Sequence, residues 1–219
     1  MNSSKDIRLG RLPEFDVRSR MFAAMRPEIE TKPPISKTWD LDKLLDQGMT
    51  PRCVGYSAAH ELRAGPVVVS ATAQTADEIY FLAQKRDQYE GEDYDGTSLL
   101  GGAKAMKELG LIDGYEWCFG LRDLVMTVGY RGPVQIGINW YEGMSNPGPD
   151  GLMQPTGEME GGHAIIVLGV NVDLKYAILP NTWGPRFGVN GTGFLTFSAL
   201  EFLLSQHGEA IFLYDMAGK

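Results

Sequence analysis

The sequence predicts an α+β protein built as two lobes, a helical one followed by a β-rich one. Two features of the chain predict this. Residues 50–109 carry apolar positions at helical spacing with caps and stops, and beyond Leu121 the chain turns to short β-rich runs divided by glycine, proline and asparagine. No internal repeat or low-complexity tract interrupts either half.

Residues 1–37 contain Pro13, Pro27, Pro33 and Pro34 with little periodicity, and they read as an extended arm with one short helix near residues 19–25. The core is expected to start at Trp39, which divides the chain into an arm (1–37), a helical lobe (38–125) and a β-rich lobe (126–219). A helix is signalled from Thr50: Thr50 caps it, Pro51 suits its first turn, Val54, Ser57, Ala58 and Leu62 share a face, and Gly65 stops it. Further helices are expected over 75–86 and 98–109, separated by an acidic loop (89–96) that lacks calcium-ligand spacing and reads as solvated. Strands follow over 134–139, 163–172, 176–179, 193–197 and 210–214, with one helix over 198–205.

Composition narrows the function. The chain has 219 residues and a formal charge of −8, yet residues 1–37 hold eight Lys/Arg against five Asp/Glu. A mildly basic leader thus precedes an acidic body, which argues against nucleic acid as a partner. The leader either lies against that body or leaves its first ten residues as a solvated tail. No apolar run approaches the ~20 residues of a membrane span, and the start lacks the apolar stretch of a secretory signal, so no membrane is expected and a cytoplasmic location is. Two cysteines, Cys53 and Cys118, are too few for a disulfide scaffold. Cys118, between Trp117 and Phe119, reads as a buried apolar residue. Neither zinc spacing nor a phosphate-cradling loop occurs, and no cofactor or metal is expected.

The chemistry concentrates in four residues. Cys53 falls in the first turn of a helix, where unsatisfied N–H groups and the positive end of the macrodipole favour a thiolate. His163, on a β-run of the other half, is placed to form an imidazolium–thiolate pair with Cys53 and to protonate a leaving amine. Asn181 can hold the other ring nitrogen through its side-chain carbonyl, adjacent if its strand forms a hairpin with that of His163, and Trp183 can shield that hydrogen bond. Gln47, six residues before the cysteine, can supply an oxyanion donor together with the Cys53 backbone N–H. Each has a plain structural reading alone; the order Gln, Cys, His, Asn, each on the element its role requires, points to a thiol hydrolase. His60 lies two turns from Cys53, roughly 10 Å along the same helix, and His207 ends a helix at the surface, so neither is the base.

Over residues 38–214 the chain resembles the papain-like cysteine peptidases. The matching stretches are Gln47-Gly48 with Cys53-Val-Gly-Tyr-Ser-Ala, Gly132-Pro-Val-Gln-Ile-Gly-Ile, Gly162-His163-Ala-Ile, and Asn181-Thr-Trp183-Gly followed by Asn190-Gly-Thr-Gly-Phe. The resemblance implies a helical lobe packed against a β-barrel-like lobe with the active-site cleft between them, and an endopeptidase with Cys53 as nucleophile, His163 as acid/base, Asn181 orienting it and Gln47 at the oxyanion, supported by Gly162 and Trp183. It implies a polypeptide substrate. The leader and the stretch Asn139-Trp-Tyr-Glu-Gly-Met144 resemble compact bacterial and bacteriophage members, which brings in host cytoplasm or the virion as locations and virion or assembly proteins as partners. The chain departs from the Cys-Gly-Ser-Cys-Trp signature, carrying Thr50-Pro-Arg-Cys53-Val54 instead, and the arm is too short for the family's inhibitory prodomain. Two alternatives stay open: a thiol amidase acting on cell-wall peptide, and a silent papain-like protein that binds peptide. The arm is expected either to cross the back of the barrel or to occlude the cleft.

Overall fold

The computed structural model describes residues 6–66 and 68–214. The reading of the extreme N-terminus therefore lies outside the described residues. Among the described residues no helix is long and apolar enough to cross a membrane.

The helical half is a layer of three helices: α2 (Cys53–Leu62), α3 (Ala73–Gln84) and α4 (Leu99–Glu108). Small residues let them approach closely. A Cβ on Gly55 would stand 2.2 Å from the Ala76 carbonyl oxygen, and one on Gly102 would stand 2.9 Å from the Val54 side chain. All ten residues of α2 are buried, so it is the central helix rather than one with a single inner face. Thr72 and Ser98 cap α3 and α4 by accepting from the backbone N–H of Thr75 and Gly101. The expected cap at Thr50 does not form: its hydroxyl donates to the Gln47 carbonyl at 2.7 Å, and α2 starts at Cys53 after Arg52 with no side-chain cap. Nor does Gly65 stop the helix, which already ends at Leu62.

The β half consists of two four-stranded antiparallel sheets. One runs in the order β2 (Gly114–Trp117), β8 (Glu209–Tyr214), β3 (Val134–Tyr141), β4 (Met159–Val167). The other runs β1 (Lys37–Thr38), β5 (Gly169–Asn171), β6 (Tyr176–Pro180), β7 (Thr192–Thr196). The chain passes from β4 to β5 through Leu168, which splits the single strand expected over 163–172 and joins the sheets. Helices α5 (Leu121–Tyr130), α6 (Glu142–Ser145) and α7 (Phe197–Ser205) contribute Leu124, Val125, Val128, Met144, Leu200 and Leu203 to the core of this half. Alternation along β4 serves both halves: Ile165 and Val167 enter the β core, while Ala164 packs with Cys53 and the helices.

The core does not start at Trp39. Leu9, Ala24 and Ile29 are buried, so the arm belongs to the folded body. In place of a helix near 19–25 it has a 3₁₀ turn, Ser19–Met21, and a short helix α1, Pro27–Glu30. Phe22 and Ala24 then bond the backbone of Trp117 on the edge strand β2, and Lys37 and Thr38 pair with β5.

Candidate active site

Residues 8–12 of the arm lie between the two halves, directly over Cys53. On one side the Arg11 N–H donates to the Gly162 carbonyl at 3.0 Å; on the other the Leu12 N–H donates to Thr97 O and the Thr97 N–H to Gly10 O, each at 2.9 Å. Gly10 fits because it has no side chain: a Cβ there would stand 1.9 Å from the Pro51 carbonyl oxygen. Gly162 meets the same demand from the opposite wall, since its Cβ would lie 2.2 Å from Arg11 O. Of the two courses open to the arm it takes both, filling the cleft with residues 8–12 and strapping the β half with residues 22–38.

Beneath the arm, Cys53 and His163 have no measurable exposure. The backbone N–H groups of Ala164, Gly10 and Val54 lie against the Cys53 sulfur. His163 donates from Nε2 to Asn181 Oδ1 at 2.8 Å. The orientation of that amide is fixed independently, because Oδ1 also accepts from the Thr182 backbone N–H at 2.8 Å. Nε2 therefore carries the proton and Nδ1 keeps its lone pair; Nδ1 is buried without a hydrogen-bond partner. The expected hairpin between the strands of His163 and Asn181 does not exist. β4 pairs with β3 and β6 with β5 and β7, so the two residues meet where the sheets face each other.

Aromatic rings close the histidine in. Trp183 lies 4.9 Å from the His163 ring and Trp140 4.7 Å, the latter edge-on. Trp140 was not singled out from sequence, although its place opposite Gly161, two residues from His163, follows once β3 and β4 are paired. Arg8 stacks on Trp183, with Cζ 3.8 Å from the ring centroid.

Gln47 is held by the other half: its backbone N–H donates to Thr182 O at 2.8 Å and its Oε1 accepts from the Thr182 hydroxyl at 2.5 Å. Its Nε2 donates to Thr50 O at 2.5 Å and to Arg8 O at 3.1 Å. A carbonyl oxygen of the arm thus takes an N–H that an oxyanion would need.

The imidazolium–thiolate pair expected from sequence is not the state seen under this cover. Burial pushes the Cys53 thiol up to about 11, overriding the backbone N–H groups that favour the thiolate. Burial also lowers His163 to about 4, against the hydrogen bond to Asn181. Both groups are neutral near pH 7. His163 gives the cover a pH dependence of definite sign: its value is depressed from 6.5, so the covered state is favoured above pH 6.5 and loses that advantage as pH falls toward 4, by up to about 10² in the equilibrium. The protection factors of the Arg11 and Leu12 amides, each taken against the intrinsic exchange rate at the same pH, are therefore expected to fall on acidification, and this fall is expected to vanish in His163→Ala; protection factors that stay level in the parent protein would count against it.

The remaining histidines and cysteine have structural partners. His60 Nε2 accepts from the Leu45 N–H at 2.7 Å inside the helical half, and the His207 side chain is exposed. Cys118 is buried, pushed up to about 12 by burial, and hydrogen-bonded to Thr127 at 3.5 Å.

Among solved structures, the fold is similar to xylellain, a cysteine protease from Xylella fastidiosa, with a TM-score of 0.75 at 16% identity, covering 99% of each chain. Digestive procathepsin L 3 of Tenebrio molitor larval midgut matches with a TM-score of 0.68 at 14% identity over 95% of this chain and 77% of that one. Procathepsin B S9 from Trypanosoma congolense gives 0.69 at 12% identity, over 98% and 89%. No family model matches the sequence, and no curated protein matches it. The chain has the papain-like cysteine-protease fold. At these identities the likeness establishes the fold alone, and residue roles have to be argued from the geometry.

Proposed function

We propose that this protein is a thiol peptidase whose N-terminal arm holds it latent. The observation that carries the reading is the His163–Asn181 hydrogen bond, which leaves a bare, buried Nδ1 on the strand whose next residue, Ala164, places its N–H on the Cys53 sulfur. A bare nitrogen alone is not the mark, since the structural His60 also leaves its Nδ1 unpartnered; the mark is that the His163 nitrogen is bare on the strand that packs against Cys53.

With the arm displaced, water reaches the site and both groups return toward ordinary values. Nδ1 then takes the thiol proton, and the sulfur attacks the carbonyl carbon of a bound peptide. The developing oxyanion accepts from the N–H of Gln47 that Arg8 now occupies and from the Cys53 backbone N–H at the uncapped start of α2. His163 returns its proton to the leaving amine, and water hydrolyses the thioester with His163 as base. Phage origin rests on the sequence resemblance alone, and a cell-wall peptide as substrate and a purely binding role are alternatives that no feature of the site favours.

An irreversible epoxide probe tests the proposal. In protein with a displaced arm it is expected to label Cys53 stoichiometrically and abolish cleavage of a denatured protein substrate, while Cys118 stays unmodified. Equal sluggishness of both thiols, with no cleavage, would leave a peptide-binding protein instead.

A further inference from the structure

We infer that the pocket holding the Arg11 side chain is the specificity pocket of the cleft, and that Glu209 makes it select a basic side chain, arginine above all, in a bound polypeptide. The inference rests on the peptidase reading and names its substrate class.

Arg11 donates its N–H to Gly162 on one wall while its neighbours Gly10 and Leu12 bond Thr97 on the other, and it stands one residue along from the Gly10 N–H that lies against the sulfur. Any extended chain can make those bonds, so they read no sequence. The side chain does. It passes Gly137, where a Cβ would lie 2.7 Å from Arg11 Nε and 3.1 Å from its Cγ. Gly137 sits inside β3 without a positive φ, so its backbone does not call for glycine; the missing side chain provides room.

At the far end the guanidinium donates to Glu209 Oε2 at 2.5 Å and to the His207 carbonyl at 2.8 Å. Side-chain exposures of 1% for Arg11 and 5% for Glu209 make this a desolvated pair. A carboxylate buried in a slot that opens beside the nucleophile is costly unless a cation enters. Arg20 reaches the other oxygen of Glu209 at 2.9 Å from outside the slot, so emptying it leaves Oε2 and the His207 carbonyl to be filled. Both acceptors are met by one terminal nitrogen, Nη2, so what they demand is a cation at the full reach of arginine; the ammonium of lysine sits on a shorter stem. The arm thus fills the pocket with the kind of side chain the pocket selects, while presenting an N–H to the sulfur at Gly10.

The test uses the full chain carrying Gly10→Ala with Arg11→Ala, which lifts residues 8–12 from their track and empties the pocket. The probes are acetyl-Leu-Gly-Arg-Leu-Pro-amide and the same peptide with citrulline, the uncharged analogue, in place of arginine. Protection of Cys53 from iodoacetamide is expected at a concentration at least about tenfold lower for the arginine peptide. Glu209→Gln, and separately Gly137→Val, which blocks the slot, are each expected to bring the two peptides together. Equal protection in the Gly10→Ala, Arg11→Ala background, or a preference that survives both further changes, overturns the inference. Hydrolysis of tetrapeptide coumarin amides separates this failure from failure of the parent reading. Cleavage without preference for arginine sinks the pocket and keeps the peptidase, whereas arginine-selective protection without any cleavage keeps the pocket and sinks the peptidase.

Discussion

Gly10→Ala is expected to expose Cys53 and raise its alkylation rate near pH 7.5 by about 10² or more. The added Cβ would stand 1.9, 2.6 and 2.9 Å from the backbone O, C and Cα of Pro51, just ahead of α2. Backbone at the start of a fully buried helix cannot retreat by that much, so the arm has to leave its track. Departure removes the desolvation that holds the thiol at about 11. A return toward the ordinary cysteine value of about 8.5 raises the thiolate fraction roughly tenfold per unit, before any gain in access is counted. Cys118, pushed up to about 12 by burial beside Thr127 of α5, is the internal control and should not change. This substitution is a cleaner instrument than deleting the arm, because residues 22–38 bond β2 and β5 and bury Ala24 and Ile29. Losing them would mix exposure of the thiol with loss of the fold. An alkylation rate unchanged in Gly10→Ala, with the arm amides still protected, would show that the cover is not held by this close approach.

Much of the frame was legible because it is written in side chains. Leu62, Ile79 and Met106 mark the helices by period and by caps, and β3 and β4 declare themselves through β-branched runs. Gln47, Cys53, His163 and Asn181 could be singled out because their types are unusual together. What escaped was made by the main chain. The track of residues 8–12 is fixed by N–H and C=O groups at Gly10, Arg11, Leu12, Thr97 and Gly162, which leave no periodic signature. Asn181 was placed beside His163 for a wrong geometrical reason: local spacing suggests a hairpin, whereas the contact is made by strands in different sheets. Helix α5 carries Leu124, Val125 and Val128 at helical spacing, but it stands at the head of β-rich runs whose composition masks it. The neutral state of Cys53 and His163 depends on burial by a distant segment, a quantity that residue order does not contain.

In the Gly10→Ala background, His163→Ala is expected to lower kcat for peptide hydrolysis by about 10⁴–10⁶, the range seen when one member of a nucleophile–base unit is removed. The size follows from what the ring does twice: without Nδ1 the thiol keeps its proton at neutral pH, and without an imidazolium the amine has no proton to leave with. KM should change little, since the main-chain acceptors at Gly162 and Thr97 that would hold an extended peptide stay in place. Asn181→Ala should cost less, because it frees the ring to turn and to exchange tautomers without deleting it. The pH profile discriminates a chemical role from a packing one. His163 touches Trp140 and Trp183, so an alanine there could loosen the wall and lower activity by structure alone. A structural loss scales the rate at every pH. Loss of the base instead abolishes the limb that titrates with His163, and raising the pH until the thiol ionises unaided should then recover alkylation of Cys53, which needs only the thiolate, while acylation by peptide stays slow because the amine still lacks a proton to leave with. Activity retained within tenfold in His163→Ala, with an unaltered pH profile, would remove His163 from the chemistry and the thiol-peptidase reading with it.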